Sequence, residues 1–248
     1  NVWCAAGKGT FGTEEMVNRI KASSLEELLS HRRIIVPQLG AVGVSAHEVK
    51  KQSGFKVIYG PVMARDIKEF TAAGFKATEE MRRVRFGFID RMILVPMEFM
   101  MGVRYLVWII IAMVLLSGLK RGGYDIDLLS SDGIRAAGDL LAGYLAGAVV
   151  GTLFLPWMPG RAFSLKGMWA GIIVSAILWS MQLTGGRLET AGWTLMIVSL
   201  ASFITMNFTG ASTYTSLSGV KKEMKIAVPL QLAGVVIGLA AWSISRFI

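Results

Sequence analysis

Five apolar runs in the second half of this 248-residue chain constrain its fold more than any other feature. Each run is close to the length, about 20 residues, at which a helix crosses the hydrocarbon core of a bilayer. Hydrophobic residues make up 53% of the sequence, more than an ordinary soluble domain carries. We therefore predict an all-α membrane domain of five transmembrane helices over residues 93–248. The spans are placed at residues 100–118, 136–155, 166–183, 192–208 and 228–247.

Residues 1–92 are more polar, and their pattern alternates between strands and helices. The β-branched run RIIV at 33–36 and the stretch FKVIYGP at 55–61 are predicted strands. A predicted helix lies between them, and such a strand–helix–strand order favours a parallel sheet. We predict an α/β Rossmann-like domain that is N-terminally incomplete, because two strands are too few for that fold.

Small hydroxyl residues mark the predicted helix starts of this polar part. Thr13 is expected to cap a helix to about Ala22, and Ser24 with Glu27 is expected to form a capping box for a second short helix, LEELLS. Ser45 with Glu48 is expected to cap the helix that lies between the strands. Two further helices are predicted, one over residues 62–73 and one from Thr78 through EEMRRVRFGFIDRM into the first span.

The basic residues that flank the spans predict the orientation of the chain. Most lie in the segments that share a side with the polar domain, so that domain is expected in the cytoplasm and the helices in the inner (cytoplasmic) membrane. No chain of ionisable groups is evident across the spans, which argues against an ion-coupled transporter.

Cys4 is the only cysteine, so the chain can form neither an intramolecular disulfide nor a multi-thiolate metal cluster by itself. Gly7, Gly9 and Gly12 behind it match the spacing of a dinucleotide-binding loop. That interpretation is weak, because the next predicted strand ends in Val36-Pro37-Gln38 without the acid that would hold a ribose. The residues alone leave open whether Cys4 is a functional thiol or a small buried side chain.

The opening octapeptide NVWCAAGK, residues 1–8, is identical to the signature of the mercury-methylation corrinoid proteins, the HgcA family. The blocks PQLGAVGVSAHEVKKQSGF and VIYGPVMARDI resemble the corrinoid domain of that family and the large subunit of the corrinoid iron–sulfur protein. Five trailing membrane helices are similar to the former family and not to the latter.

This resemblance implies a corrinoid cofactor, cobalamin or a related molecule, whose cobalt takes the Cys4 thiolate as axial ligand on a cap helix from about Val2 to Gly9. Glycines behind Cys4 would let the backbone lie close to the macrocycle. The loops 39–44 and 59–63 would line its other side. The implied cofactor-binding residues are Asn1, Val2, Trp3, Cys4, Ala5, Ala6, Gly7, Lys8, Gly9, Thr10, Phe11, Leu39, Gly40, Ala41, Gly43, Val44, His47, Tyr59, Gly60, Pro61, Val62 and Met63.

The implied activity is that of a methyltransferase which passes a methyl group from methyl-Co(III) to Hg(II) and forms methylmercury. The implied partners are a ferredoxin with two [4Fe–4S] clusters as electron donor, a methyl-donor protein or methyl-folate, and membrane lipid, with no nucleic acid. Two alternatives stay open from the sequence. One is a membrane-bound corrinoid methyl carrier of one-carbon or acetyl-CoA metabolism, and the other is a transporter or membrane scaffold whose cysteine is inert.

Overall fold

The computed structural model describes residues 6, 10–183, 185–208 and 217–248, without the side chains of residues 217 and 218. The chain divides into two compact units, Asn1–Arg85 and Phe86–Ile248, called here the N-terminal unit and the membrane unit. The predicted boundary after residue 92 falls inside the first long helix of the membrane unit, and for the functional domains it stays a prediction.

The sheet of the N-terminal unit joins two parallel strands, as the strand–helix–strand pattern predicts. Strand β1 (Arg33–Val36) pairs with β2 (Lys56–Tyr59), so that Val36 lies opposite Tyr59 where both strands end. Each strand is a β-branched run bounded by Pro or Gly, which favours a short buried strand. Two strands among the described residues of the N-terminal unit are fewer than a Rossmann fold contains, so the structure establishes the parallel pair and not the complete fold.

Helices pack around this pair and close a small core. The helices α1 (Thr13–Ala22), α2 (Leu25–Leu28), α3 (Ala46–Ser53), α4 (Ile67–Ala72) and α5 (Glu79–Arg82) surround it, with 3-10 turns at Gln38–Gly40 and Ala64–Asp66. The core contains Val17 and Ile20 of α1, Val49 of α3, Phe55 just before β2 and Val57 within β2. Apolar residues one helical turn apart on α1 face the sheet, which holds α1 next to α3.

Three of the four predicted caps are wrong in detail. The helix α1 has Gly12 at its cap position, and the Thr13 hydroxyl bonds to another segment instead. Ser24 has a left-handed backbone (φ 45°) and its side chain makes no cap bond, because Ser24 ends the turn after α1 rather than extending before α2. Ser45 makes no cap bond either, since its hydroxyl contacts the His47 ring. The Thr78 cap is confirmed by a bond from the Met81 N–H.

The predicted helices over 62–73 and from Thr78 onward are shorter than expected. The first begins as the 3-10 turn Ala64–Asp66 and ends at Ala72, before Gly74 with its positive φ of 68°. The second stops at Arg82, and a new helix starts at Phe88. Gly87 is extended there, and its N–H donates to the Asp90 carboxylate at 2.8 Å, which caps the new helix.

Five helices in the described part of the membrane unit are long and apolar enough to cross a membrane, as predicted. The first is α6 (Phe88–Ser117), twelve residues longer at its start than the predicted span. The second, α7, comprises Ile134–Leu145 flanked by π-helical turns at Leu129–Gly133 and Ala146–Gly151. The others are α8 (Phe163–Ser180), α9 (Arg187–Asn207) and α10 (Leu217–Ser245). After α6, two antiparallel strands of two residues each, Leu119–Lys120 and Gly123–Tyr124, form a hairpin.

The helix α9 is central, because α7, α8 and α10 all pack against it through glycines. A Cβ at Gly171 would lie 2.7 Å from the Val198 Cα, and one at Gly147 would lie 2.9 Å from the Ala201 carbonyl oxygen. The Thr205 hydroxyl also donates to the Gly147 carbonyl at 3.2 Å. Small residues at these crossings allow the close backbone approach on which helix association in a bilayer depends.

Gly171→Val is therefore expected to lower the thermal unfolding midpoint of the detergent-solubilised chain, since the obstacle is the α9 backbone. Overpacking of this kind costs about 1–3 kcal/mol. Gly138→Val is the matched control, because that helical glycine has nothing within 4 Å of its added Cβ. Equal destabilisation by both variants would show that helix propensity, and not this crossing, sets the cost.

Candidate functional site

Three sequence-predicted segments meet where the two parallel strands end. The loop Leu39–Val44 follows β1 and the loop Tyr59–Met63 begins at the end of β2. The third segment contains Ala6 and Phe11, which contact the first loop. We call this group the strand-end site. The carboxyl ends of parallel strands are where open α/β sheets bind ligands, so its position agrees with a binding role.

The contact of Ala6 with Gly43 holds the third segment against the loop that follows β1. Ala6 is 5% exposed, and a Cβ added to Gly43 would lie 2.9 Å from the Ala6 carbonyl oxygen and 2.6 Å from that of Phe11. The Phe11 ring covers Gly40, where an added Cβ would lie 2.7 Å from its edge. Gly43 thus lets two stretches of backbone approach each other, and Gly40 leaves room for the Phe11 ring, so a larger residue at either position would displace its neighbour.

Thr13 bonds the start of α1 to the same loop. Its N–H donates to the Gly43 carbonyl at 3.1 Å, and its hydroxyl accepts the Ser45 N–H at 2.9 Å. The same hydroxyl lies 3.5 Å from the Gly43 carbonyl oxygen. The predicted cap residue of α1 thus joins α1 to the loop that follows β1, a role that depends on the tertiary fold.

Tyr59 connects the two loops. Its hydroxyl donates to the Val44 carbonyl at 2.6 Å, and the Gly60 N–H continues the sheet ladder to the Val36 carbonyl at 2.8 Å. Gly60 has no room for a side chain, because an added Cβ would lie 2.7 Å from the Ile35 side chain. The end of β2 is therefore held rigidly beside the loop that follows β1.

Apolar side chains project from both loops. Val42 is 67% exposed on the first and Met63 is 42% exposed on the second. His47 is exposed too, with its Nδ1 3.0 Å from the Ser45 hydroxyl and its Nε2 3.6 Å from the Glu48 carboxylate. An exposed apolar edge beside buried loop backbone is a surface that a flat ligand could cover.

The predicted site residues divide into two groups by what the structure describes. Ala6, Phe11, Gly40, Gly43, Val44, Tyr59 and Gly60 are brought together as stated, and Thr10, Leu39, Ala41, His47, Pro61, Val62 and Met63 lie on the same segments. Asn1, Val2, Trp3, Cys4, Ala5, Gly7, Lys8 and Gly9 lie outside the described residues.

A polar cleft of about 490 Å³ adjoins Met63 and was not evident in the sequence. Its walls carry three arginines, Arg65, Arg83 and Arg85, together with the acids Asp66, Glu69 and Glu80. The Val62 N–H donates to the Met81 carbonyl at 2.9 Å, which ties the end of the second loop to α5 beside this cleft. Long-range pairing of this kind has no local sequence signal.

The membrane unit contains buried polar groups that the sequence analysis missed. Glu98 of α6 and Asp139 of α7 are 8% and 3% exposed, and Arg91 is 3% exposed. Arg91 donates to the carbonyls of Phe86 and Leu153 and lies over the Trp157 ring. These groups lie within helices whose apolar residues dominate the pattern, so only the packing identifies them as buried.

Metal-ligand chemistry is limited in the described part of the chain. No three His, Cys, Asp or Glu side chains cluster there as the ligands of one metal ion would. A corrin ring differs from a bare ion because it brings four equatorial nitrogen donors with it, so the protein needs to supply only an axial donor. One thiolate, that of Cys4, would be a sufficient donor set, and the exposed apolar side chains of the strand-end site would suit a macrocycle.

Tyr59→Phe is expected to lower the stability of the N-terminal unit by about 1 kcal/mol, since it removes one hydrogen bond and leaves the Val44 carbonyl unpaired. The measurement is the midpoint of chemical unfolding of the full chain, followed by near-UV circular dichroism. Tyr124→Phe serves as a control, because that tyrosine bonds within the membrane unit. A Tyr59→Phe midpoint equal to wild type would mean that the hydroxyl does not hold the loops together.

The comparisons with known proteins give no match: no family model, no curated protein and no solved structure matches this chain.

Proposed function

We propose that this chain is a membrane-anchored, corrinoid-dependent methyltransferase that forms methylmercury, with the Cys4 thiolate as axial ligand of the cobalt. The resemblance of residues 1–8 to the mercury-methylation signature motivates the proposal. The contacts within the strand-end site support it, because they bring together described residues of the three segments that the resemblance assigns to the cofactor. The same proposal includes a Rossmann-like corrinoid domain in the cytoplasm and a location of the helices in the inner membrane.

The contact of Ala6 with Gly43 is the observation that carries the proposal. Cys4 precedes Ala6 by two residues, so chain geometry limits the separation of their Cα atoms to about 7 Å. The contact brings the segment that bears the only thiol to the carboxyl ends of the strands. The two loops implied to line the macrocycle lie at that same edge. Three separately predicted segments thus converge on one place.

The residues present fit a corrinoid by their donors and their surfaces. Cys4 would supply one soft, strongly donating thiolate, and the exposed side chains of Val42 and Met63 would supply apolar contacts. Thr13 and Tyr59 fix the loop backbone that would lie beside the ring. When bound, the corrinoid supplies a cobalt-carried methyl group that can pass to the electrophilic substrate Hg(II).

The role of the Cys4 thiolate in this proposal is electronic. An axial ligand sets the electron density at its metal, the means by which proteins tune cofactor reactivity. A thiolate donates more strongly than a neutral imidazole, so Cys4 would raise the electron density at a bound cobalt. The chain has one cysteine and cannot hold an iron–sulfur cluster, so a partner such as a two-[4Fe–4S] ferredoxin would supply electrons.

Membranes that contain the full chain should convert Hg(II) to methylmercury when given a methylated corrinoid and a low-potential reductant. The purified chain should also carry a corrinoid absorption spectrum. A methyl carrier of one-carbon metabolism would show the spectrum but would transfer methyl to a thiol or folate acceptor in preference to Hg(II). A chain that takes up no corrinoid would contradict the proposal and favour a transporter or scaffold.

A further inference from the structure

A groove of about 890 Å³ runs between α8, α9 and α10 within the membrane unit. Its walls are largely apolar and include Leu165 and Met168 of α8, Leu195 of α9, and Ile226 with Leu230 of α10. A volume of this size accommodates a drug-sized ligand or the head and upper chains of a lipid. Because the groove lies between membrane helices and has largely apolar walls, its walls favour an amphipathic ligand.

Two cations line one end of the groove. Arg161 precedes α8 and Lys222 lies in the second turn of α10, and both are exposed. Neither has an ion-pair partner within the part of the chain that the structure describes. The one acid in the lining, Glu223, accepts the Ser164 N–H at 2.6 Å and so caps the start of α8. This end of the groove thus presents positive charge.

A line of hydrogen-bonded groups, called here the polar strip, runs from Glu223 through Ser164 and Ser202 to Gln231. The Ser202 hydroxyl donates to the Ser164 carbonyl at 2.8 Å, and the Gln231 side-chain Nε2 donates to the Ser202 oxygen at 2.8 Å. Gln231 lies eight residues beyond Glu223 on α10, about 12 Å along the helix axis. Polar groups therefore extend well into the groove along one wall.

The polar strip ends in an unused acceptor. Gln231 is 8% exposed, and its Oε1 has no hydrogen-bond partner among the described residues. A buried amide oxygen without a donor costs about 1–3 kcal/mol, so a ligand or water that donates to it is favoured. An acyl chain cannot do so, whereas a hydroxyl-bearing headgroup can.

We propose that this groove is a binding site for a single anionic phospholipid whose headgroup carries hydroxyl donors. The phosphate lies between Arg161 and Lys222, a headgroup hydroxyl donates to the Gln231 Oε1, and an acyl chain follows the apolar wall of Ile226 and Leu230. Basic pockets between membrane helices recognise acidic lipid headgroups through the same charge complementarity. The site is separate from the strand-end site and does not depend on corrinoid chemistry.

The test uses native mass spectrometry of the detergent-purified full chain with three lipids that share dioleoyl chains. Phosphatidylglycerol offers the phosphate and hydroxyls, phosphatidic acid lacks the glycerol headgroup, and phosphatidylcholine lacks both net charge and donors. We expect retention of one lipid, in the order phosphatidylglycerol, phosphatidic acid, phosphatidylcholine. Equal retention of all three would overturn the proposal.

Variants assign the effect to the groove. The double variant Arg161→Gln/Lys222→Gln should weaken phosphatidylglycerol binding by roughly tenfold or more. The matched pair Arg121→Gln/Arg187→Gln removes two exposed cations that do not line the groove and should change little. If both pairs weaken binding equally, the attraction is a general effect of surface charge and the proposal is wrong.

A second variant tests the polar strip. Gln231→Leu should abolish the preference for phosphatidylglycerol over phosphatidic acid while keeping the preference for both over phosphatidylcholine. Should that variant fail to fold, Ile226→Trp places an indole in the groove from an exposed position and should exclude all three lipids. Undiminished one-to-one lipid retention by Ile226→Trp would place the lipid elsewhere.

Discussion

Replacing Cys4 by alanine is expected to reduce methylmercury formation by more than about a hundredfold, since loss of even a supporting group around a metal ligand costs 10–100-fold. The reason is electronic, because alanine cannot donate to the cobalt and nothing else in the chain is a thiol. The measurement is the rate of methylmercury production by membranes that contain equal amounts of each variant. His31→Ala is the control, because it removes an exposed side chain of the same unit that has no proposed role.

The single cysteine makes a second version of this experiment possible without mutagenesis. Alkylation of the wild-type chain by iodoacetamide should reproduce the loss seen in Cys4→Ala, whereas the alanine variant should be indifferent to the reagent. Bound corrinoid should slow the alkylation, since a cobalt-bound sulfur is not free to react. Full activity after complete alkylation would mean that the thiol has no part in the reaction.

Gly43→Val should lower corrinoid retention and methylmercury formation together, by roughly tenfold or more, if overpacking costs the site about 1–3 kcal/mol. The added side chain would meet the carbonyl oxygens of Phe11 and Ala6, which are backbone atoms and cannot turn aside. The segment that contains Ala6 must then leave the loop after β1, and we expect Cys4, two residues away in sequence, to move with it. Helical circular dichroism of the membrane unit should be unchanged.

Gly122→Val is the matched control, because that glycine has nothing within 4 Å of an added Cβ. Gly43→Ala should have a smaller effect in the same direction, since alanine introduces the clash without the larger branches. If Gly43→Val retains corrinoid as well as wild type, the contact of Ala6 with the loop does not position the thiol, and the proposed site loses its structural support.

The local sequence pattern predicts the strands and membrane helices of this chain well, because the residues that make up the pattern are also those that stabilise these elements. The strands at Arg33–Val36 and Lys56–Tyr59 follow from β-branched runs with Pro and Gly at their ends, and their parallel pairing follows from the helix between them. The five membrane helices follow from length and hydrophobicity alone. Length and hydrophobicity do not predict where these helices start. The helix α6 begins in a basic, less apolar stretch, where the Asp90 carboxylate accepts the Gly87 N–H and caps the helix.

Features that depend on distant partners were not predictable. The sequence predicts Thr13 as a helix cap, but its hydroxyl accepts a hydrogen bond from the Ser45 N–H, 32 residues away. The buried side chains of Asp139 and Gln231 sit in helices whose apolar residues dominate the sequence pattern. The convergence of Ala6, Gly43 and Tyr59 depends on the sheet register. The resemblance implies that these segments surround one cofactor, and the fold adds the contacts by which Ala6, Gly43 and Tyr59 come together.

Cobalt K-edge X-ray absorption of the corrinoid-loaded full chain tests the central claim most directly. If Cys4 ligates the cobalt, we expect a sulfur scatterer in the first coordination shell of the cobalt in the wild-type chain. That scatterer should be absent in Cys4→Ala, with the four corrin nitrogens retained in both. A first shell of nitrogen and oxygen alone in the wild-type chain, identical to that of the alanine variant, would contradict it.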